Sequence, residues 1–457
     1  MPHVALVAEP ANGTPSRAAR SSRTPGPPAR LAGARPWARP WALVAALAGV
    51  ISVTAPAAAQ APGAAQLDSI RQRLDDAEAA LQSLREQMAT EASMALKTRS
   101  RVSLEFSGRA LMNAFTNTSR VNNVDVPLFA RLDSGTGPQG GTAMSIRQTR
   151  LGLAFSVSEV AGGTFSGDID VDFFGGQTPS SGGRTFPLVR LRTARGKVDW
   201  ANGQLMVGQD QPLVAGLDPV SLASVGTPGF AGAGNLWLWL PQVRGTLHTS
   251  GRVRFGVQGA VLAPTSGEAV SAFDTQFDAA ERTGAPYVEG QLRLDWGEDE
   301  TAGLITAGVH SGKVADAADI ARDSRAVAVT LQLPLGSRFE LRGEAFDGQA
   351  LRGLGGGGIG QGIGVGGAAV RTKGGWAQLN LKASPRLLLG GGQGFDDPED
   401  ADVAAGGRLR NTVTEAHLHW RPAGPTLIGL EWRSIATDYA AGSRTNQHLN
   451  LAFGFEF

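Results

Sequence analysis

Beyond Arg101 the sequence is a run of short segments joined alternately by brief and long links, and this alternation constrains the fold more than any other feature. Brief links rich in Gly, Pro, Ser, Asn or Asp fall near 160–163, 200–204, 249–252, 297–301, 335–338, 383–386 and 421–425. Longer links fall between them, near 117–142, 175–185, 210–240, 264–285, 311–323, 348–369, 396–407 and 437–444. Seven turns and eight loops join sixteen strands. An antiparallel transmembrane barrel has this layout, with an even strand number, short turns on the periplasmic side, long loops outside and both chain ends on the turn side.

The third segment shows which surfaces such strands present. Phe165, Ile169, Val171 and Phe173 share one face, while Ser166, Asp168, Asp170 and Asp172 share the other. Three aspartates on one strand face cannot enter a dry core, but they suit a wall with lipid on one side and a wet lumen on the other. The last segment repeats the pattern, with Leu449, Leu451, Phe453, Phe455 and Phe457 on one face and His448, Asn450, Gly454 and Glu456 opposite. Its terminal aromatic, Phe457, resembles the sorting signal read by the outer-membrane assembly machinery. A soluble sandwich or solenoid leaves the asymmetry of turns and loops without a reason.

The N-terminal quarter reads differently. Arg30, Arg35 and Arg39 precede an apolar run from Trp41 to Val53, and Ala57-Ala58-Ala59-Gln60 follows, which is the order of an export signal with cleavage expected after Ala59. A retained anchor would need about 18 continuous apolar residues, and this run breaks at Ser52, Thr54 and Pro56. The Pro-, Arg- and Ser-rich residues 1–29 are expected to carry no function. From Leu67 the apolar positions Ile70, Leu74, Ala77, Leu81, Leu84 and Met88 step by three and four, the a/d seam of a coiled coil. Three heptads are short, so the helix is expected to be stable where a trimeric or dimeric body holds its copies together; folding back onto its own barrel is the alternative. The expected organisation is therefore an extension and signal over 1–59, a periplasmic coiled coil over 60–98 and an all-β transmembrane barrel of about sixteen antiparallel strands over 99–457.

Composition narrows the chemistry. A formal charge of +1 gives no nucleic-acid signature, and zero cysteines exclude disulfides, thiolate metal sites and a lipid-anchored start. Among 42 basic residues only Lys97, Lys197, Lys313, Lys373 and Lys382 are lysines, a bias that an arginine-lined lumen would produce. Strand parity turns Arg150, Arg190, Arg192, Arg244, Arg252, Arg254 and Arg293 inward, toward the same water as Asp168, Asp170 and Asp172. Opposite ladders across a narrow pore would orient polar solutes and pass anions along the guanidinium side; the same charges could instead pair with one another and only keep the lumen wet. A bulge is expected near 195–200.

The third long loop, 210–240, is expected to narrow the lumen with Asp210, Asp218 and Phe230, while Trp237 and Trp239 suit either that constriction or an aromatic girdle at the top of strand 6. The glycine run 355–366 lacks the Lys-Ser or Lys-Thr of a phosphate loop and reads as a flexible extracellular loop. His417 and His419 with Glu415 have ligand spacing, but lumen histidines need no metal. Neither a cofactor nor a metal is expected, and no Ser and His are brought together by the sequence alone.

Several segments resemble the trimeric porins of the DcaP-like and phosphate-selective (porin O and P) group. They are Arg147-Gln148-Thr149-Arg150-Leu151-Gly152-Leu153, the run from Asp168 to Gly176, Val207-Gly208-Gln209, and Gly343-Glu344-Ala345-Phe346 ahead of the glycine-rich loop. A periplasmic coiled coil before a sixteen-stranded barrel is similar to the DcaP-like arrangement in particular. The scarcity of lysine departs from the phosphate-selective members. The resemblance implies a homotrimer in outer-membrane lipid that passes small hydrophilic solutes, anions such as carboxylates or phosphate-containing molecules foremost, without bond chemistry. A structural or adhesive barrel is the alternative.

Overall fold

The computed structural model describes residues 102–132, 139–176, 185–268, 276–298 and 301–457, all within one compact unit. The expected signal segment and the coiled-coil seam of Leu67, Ile70, Leu74, Leu81, Leu84 and Met88 lie outside the described residues.

Seventeen strand segments form one closed antiparallel sheet, and two of them are halves of a single strand, so sixteen strands make the wall. In chain order they are β1 (Val102–Asn117), β2 (Gly141–Ser145 and Arg150–Val160), β3 (Gly163–Asp172), β4 (Arg190–Trp200), β5 (Gly203–Asp210), β6 (Leu240–His248), β7 (Val253–Leu262) and β8 (Tyr287–Trp296). The second half comprises β9 (Gly303–Ala315), β10 (Ala321–Leu335), β11 (Phe339–Gln349), β12 (Arg371–Ser384), β13 (Leu387–Pro398), β14 (Arg408–Trp420), β15 (Thr426–Tyr439) and β16 (Arg444–Glu456). Closure comes from β1 against β16, in a register running from Arg109 opposite Glu456 to Asn117 opposite His448. A closed sheet leaves no edge, which is what a backbone in hydrocarbon requires.

The two faces follow the pleat. Leu153, Ile169, Val257, Leu292, Val327 and Phe453 are exposed on the outside, while Asn113, Gln291, Gln378, Glu431 and Asn450 are buried within. Leu451, Phe455 and Phe457 continue the outer face of the last strand, with His448 and Ala452 buried behind it.

Four features depart from the sequence reading. The break in β2 spans 146–149, where no glycine or proline announces it. There the Thr149 hydroxyl accepts from the Leu111 N–H at 3.1 Å and donates to the Leu111 carbonyl at 3.3 Å, restoring what the ladder loses. The bulge expected near 195–200 lies at Arg192, since Thr193 opposes Asp170 while Leu191 opposes Val171. Links five and eight are much shorter than expected, because β9 runs to Ala315, β10 starts at Ala321, β15 ends at Tyr439 and β16 starts at Arg444. Polar residues at those ends read as loop, yet pairs such as Lys313 opposite Asp323 belong to the ladder. Finally, the glycine-rich sixth loop turns inward: Leu351 and Leu354 are fully buried against Leu236 and Tyr287.

Candidate functional site: the lumen and its third loop

The inward arginines and aspartates are neighbours on one wall, not opposing ladders. Hairpin register places Asp172 opposite both Arg150 and Arg190, and Asp168 opposite Arg195. Arg150 accordingly binds Asp170 at 2.6 Å, Arg190 binds Asp172 at 2.6 Å, and Arg192 reaches Asp172 at 3.0 Å and Asp170 at 3.1 Å. Arg195, overlooked in the sequence, bridges Asp168 at 2.8 Å and Asp210 at 3.1 Å, and Lys197 lies 3.6 Å from Asp168. Arg244 stands 3.4 Å from Asp210, and Arg293 binds Asp295 on its own strand at 2.6 Å. Arg254 sits opposite Asp295 in register, while Arg252 belongs to the turn before β7. Counting residues outward from the turn at 160–163 misses these adjacencies by one residue, because the register shifts between Val157 and Val160 and again between Asp170 and Val171. The field they create is local and largely compensated rather than transverse.

Several of these guanidinium groups also hold the third loop, residues 211–239. Arg190 and Arg192 donate to the carbonyls of Gly226 and Val225, Arg244 to that of Gln211, and Arg342 to that of Asp218. Gln148, within the segment that carries the family resemblance, accepts from the Val225 N–H at 2.6 Å and donates to the Ala223 carbonyl at 2.9 Å. From the opposite wall the Glu431 carboxylate accepts from the N–H groups of Leu222 and Ala223 and from the Ser221 hydroxyl. Gln378 accepts from Val220 N–H at 2.8 Å and Asn113 donates to the Leu222 carbonyl at 2.9 Å. A loop backbone buried inside a barrel must have its polar groups satisfied, and here wall side chains supply the partners.

Apolar contacts complete the seating. Leu213, Val214 and Leu236 pack with Leu262, Ala328 and Phe346; Leu217 and Phe230 pack with Trp376, Val413 and Ile435; Leu222 and Val225 pack with Leu111, Leu427 and Ala452. The loop thus touches the wall on every side. Phe230 stacks on Trp376 at 5.6 Å between ring centres. Asp218 accepts from Gln211 at 2.9 Å. Trp239 is buried beneath Arg192, 4.3 Å from its guanidinium, which places it with the lumen arginines and not in an outer girdle.

Glu431 and Glu415 share Arg433, at 3.2 and 3.3 Å, and all three are almost completely buried. His419 Nε2 lies 3.1 Å from Glu431, with the His417 ring stacked on it at 4.7 Å. On the other wall Glu289, His310 and Ser324 line up in the order of a hydrolase triad, 2.9 and 3.1 Å apart. Ser324, however, is buried and donates to the Ala350 carbonyl at 3.0 Å, while Glu289 also accepts from the Leu213 N–H at 2.5 Å. The relay therefore staples loops three and six to the wall, and neither described cavity is lined by its serine. None of these anchors has a local sequence signature, because partners stand up to 212 residues apart.

Two of the cavities among the described residues lie at opposite ends of the strands. One, of about 460 Å³, lies among the loops and is lined by Arg282, Arg352 and Arg408 together with Glu268 and Asp316. The other, of about 640 Å³, lies among the turns and has Val220, Ser221 and Leu222 of the third loop in its lining.

Among solved structures the chain is similar to the outer-membrane channel DcaP of Acinetobacter baumannii, with 18% identity and a TM-score of 0.60 over 79% of this chain and 99% of that one. It is also similar to an anion-selective porin from Comamonas acidovorans, with 13% identity and a TM-score of 0.52 over 78% of this chain and all of that one. The fold is that of an outer-membrane porin. The resemblance read from scattered segments is, at these identities, a resemblance of fold. No protein-family model and no curated protein matches the sequence.

Proposed function

We propose that this chain is a porin of the bacterial outer membrane that lets small hydrophilic solutes diffuse passively, with a preference for anions bearing carboxylate or phosphate groups. The observation that carries this reading is the third loop, held across the lumen with the guanidinium groups of Arg190, Arg192, Arg244 and Arg342 along it. Guanidinium groups set beside a narrow path favour oxyanions there through their charge and their remaining N–H donors. The similarity to a DcaP channel and to an anion-selective porin points the same way.

Single-channel recording of refolded protein in planar bilayers tests the proposal. Discrete conductance steps in threes, with an anion-biased reversal potential in asymmetric KCl, are the expected result. Silence from correctly folded protein would favour a structural or adhesive barrel, a reading supported by the apolar packing of the third loop on every side.

In this proposal the protein works as a homotrimer whose residues 60–98 form a periplasmic coiled coil, and Phe457 serves its recognition by the assembly machinery. Removing residues 60–97 is then expected to weaken trimer formation while leaving a folded barrel. Trimers of unchanged abundance on a native gel would refute the role given to the coiled coil.

A further inference from the structure

The hydrogen bonds of Glu289, His310 and Ser324 require one proton more than a carboxylate, a neutral imidazole and a hydroxyl carry when apart. The Ala350 carbonyl only accepts, so the single hydroxyl hydrogen of Ser324 is engaged by it, at 3.0 Å. The 3.1 Å contact between His310 Nε2 and the Ser324 oxygen then takes its hydrogen from Nε2. A neutral imidazole is left with a bare Nδ1, yet Nδ1 stands 2.9 Å from the Glu289 carboxylate, where two lone pairs would repel. One further proton between them resolves the conflict. Carried on the imidazole or on the carboxyl, it leaves the pair without net charge, whereas its loss leaves a negative charge on side chains that are fully buried.

The surrounding groups are engaged elsewhere. Tyr287, edge-on to the His310 ring at 4.8 Å, donates its hydroxyl to the Thr265 carbonyl. Among the described residues, the other ionisable side chains on the inner side of the neighbouring strands and loops have their own partners. Arg244 meets Asp210, Arg293 meets Asp295, Arg322 meets Asp316 and Arg352 meets Glu268, while Asp278 accepts from the Thr265 hydroxyl and Glu344 from the Leu236 N–H.

The relay is also a junction of two loops. Glu289 accepts from the Leu213 N–H of the third loop at 2.5 Å, and Ser324 holds Ala350 of the sixth. Leu213, Val214 and Leu236 of the one share a buried cluster with Leu351 and Leu354 of the other. We propose that Glu289 and His310 form a proton-operated latch: with the shared proton both loops are held on β8, β9 and β10, and without it Glu289 turns from His310 and lets go of Leu213. The latch rests on the porin reading above and adds a control to it. The proton is bound in the latched state and passes to water in the released state, where an imidazole is neutral above about pH 6.5. The latch is therefore firm at low pH and weakens as pH rises.

Single-channel current of the full-length protein in KCl, recorded from about pH 6 to about pH 9, tests the latch. Brief current increases from loosened loops are expected to become up to about tenfold more frequent per pH unit, the slope set by one proton. Glu289→Gln is the decisive variant, because its amide N–H donates to Nδ1 without an added proton while its oxygen still accepts from Leu213. It should stay quiet over the whole range, and Ser324→Ala, which frees the Ala350 carbonyl, should be noisy at every pH. A flat parent profile, or a Glu289→Gln profile that follows the parent's, would overturn the latch and leave the porin reading untouched. Should the protein carry no current, the porin reading fails, and magnetic resonance of the isotope-labelled, detergent-folded parent still decides the latch, as it does if Glu289→Gln does not fold. The His310 ring signal, identified by its loss in His310→Gln, and the Leu213 amide should shift together in one step as pH rises. A Leu213 amide that ignores pH, or that moves apart from His310, overturns the proposal.

Discussion

Arg433→Ala is expected to release the third loop and to raise single-channel conductance several-fold. Arg433 is the shared counter-charge of Glu415 and Glu431, and it also donates to Ser221 and Ser224 of the loop. Removing one partner from a buried ionic group leaves an uncompensated charge and costs roughly 3–5 kcal/mol. Part of that cost can be relieved if Glu431 turns from the loop toward water, giving up its bonds to Ser221, Leu222 and Ala223. Limited proteolysis should therefore cut within 211–239 in the variant and not in the parent, alongside the larger and noisier current. Arg433→Lys keeps the charge without the planar fork and should fall between the two. Identical cleavage and conductance in Arg433→Ala and parent would show that the loop does not depend on this anchor.

Gly234→Val should have an effect of similar size by a different route. Gly234 has φ of +98°, and a Cβ there would lie 2.3–2.4 Å from the backbone of Gly375 on β12. A β-branched residue is strained in that backbone region, and the wall cannot yield because the obstructing atoms are main chain. Strain and overpacking each cost roughly 1–3 kcal/mol. The loop should lift from β12, separating Phe230 from Trp376 and altering the tryptophan fluorescence as well as the conductance. If both signals match the parent, the flush contact between loop and wall is not needed for seating.

How much of this could be read in advance depended on whether the signal was periodic. Strand parity assigned the faces of β3 and β16 because lipid on one side and water on the other impose a strict period of two. The positions of the seven turns were legible because tight turns require particular residues. Parity held for Arg190 and Arg192 but failed beyond them, where one extra residue shifts the register and brings Arg195 inward, and at 146–149, where Thr149 replaces lost backbone bonds with a side chain. It also misjudged the ends of β9 and β10, since polar ladder residues look like loop. The Arg and Asp partners lay one residue beyond hairpin arithmetic: counting from 160 opposite 163 sets Arg150 against Phe173, and the register shift between Val157 and Val160 brings Asp172 opposite it instead. The anchors of the third loop were out of reach altogether. Gln148, Gln378, Glu431 and Arg433 meet only because the sheet closes, and nothing local marks a polar lumen residue as a partner for a backbone more than 70 residues away.

That last point bears on the order in which the chain must fold. The third loop is bonded to Asn113 on β1 and to Glu431 on β15, and it packs on Ala452 of β16, so its seat does not exist until the first and last strands have met. Contacts of such long sequence separation form slowly, because the chain entropy is lost before they reward it. In a barrel still open at the seam, Leu222 and Val225 have no wall to cover them, and a protease or chaperone can read the exposed apolar segment. The loop's concealment is thus a molecular record that closure is finished, and its accessibility over time should clock the final step of assembly.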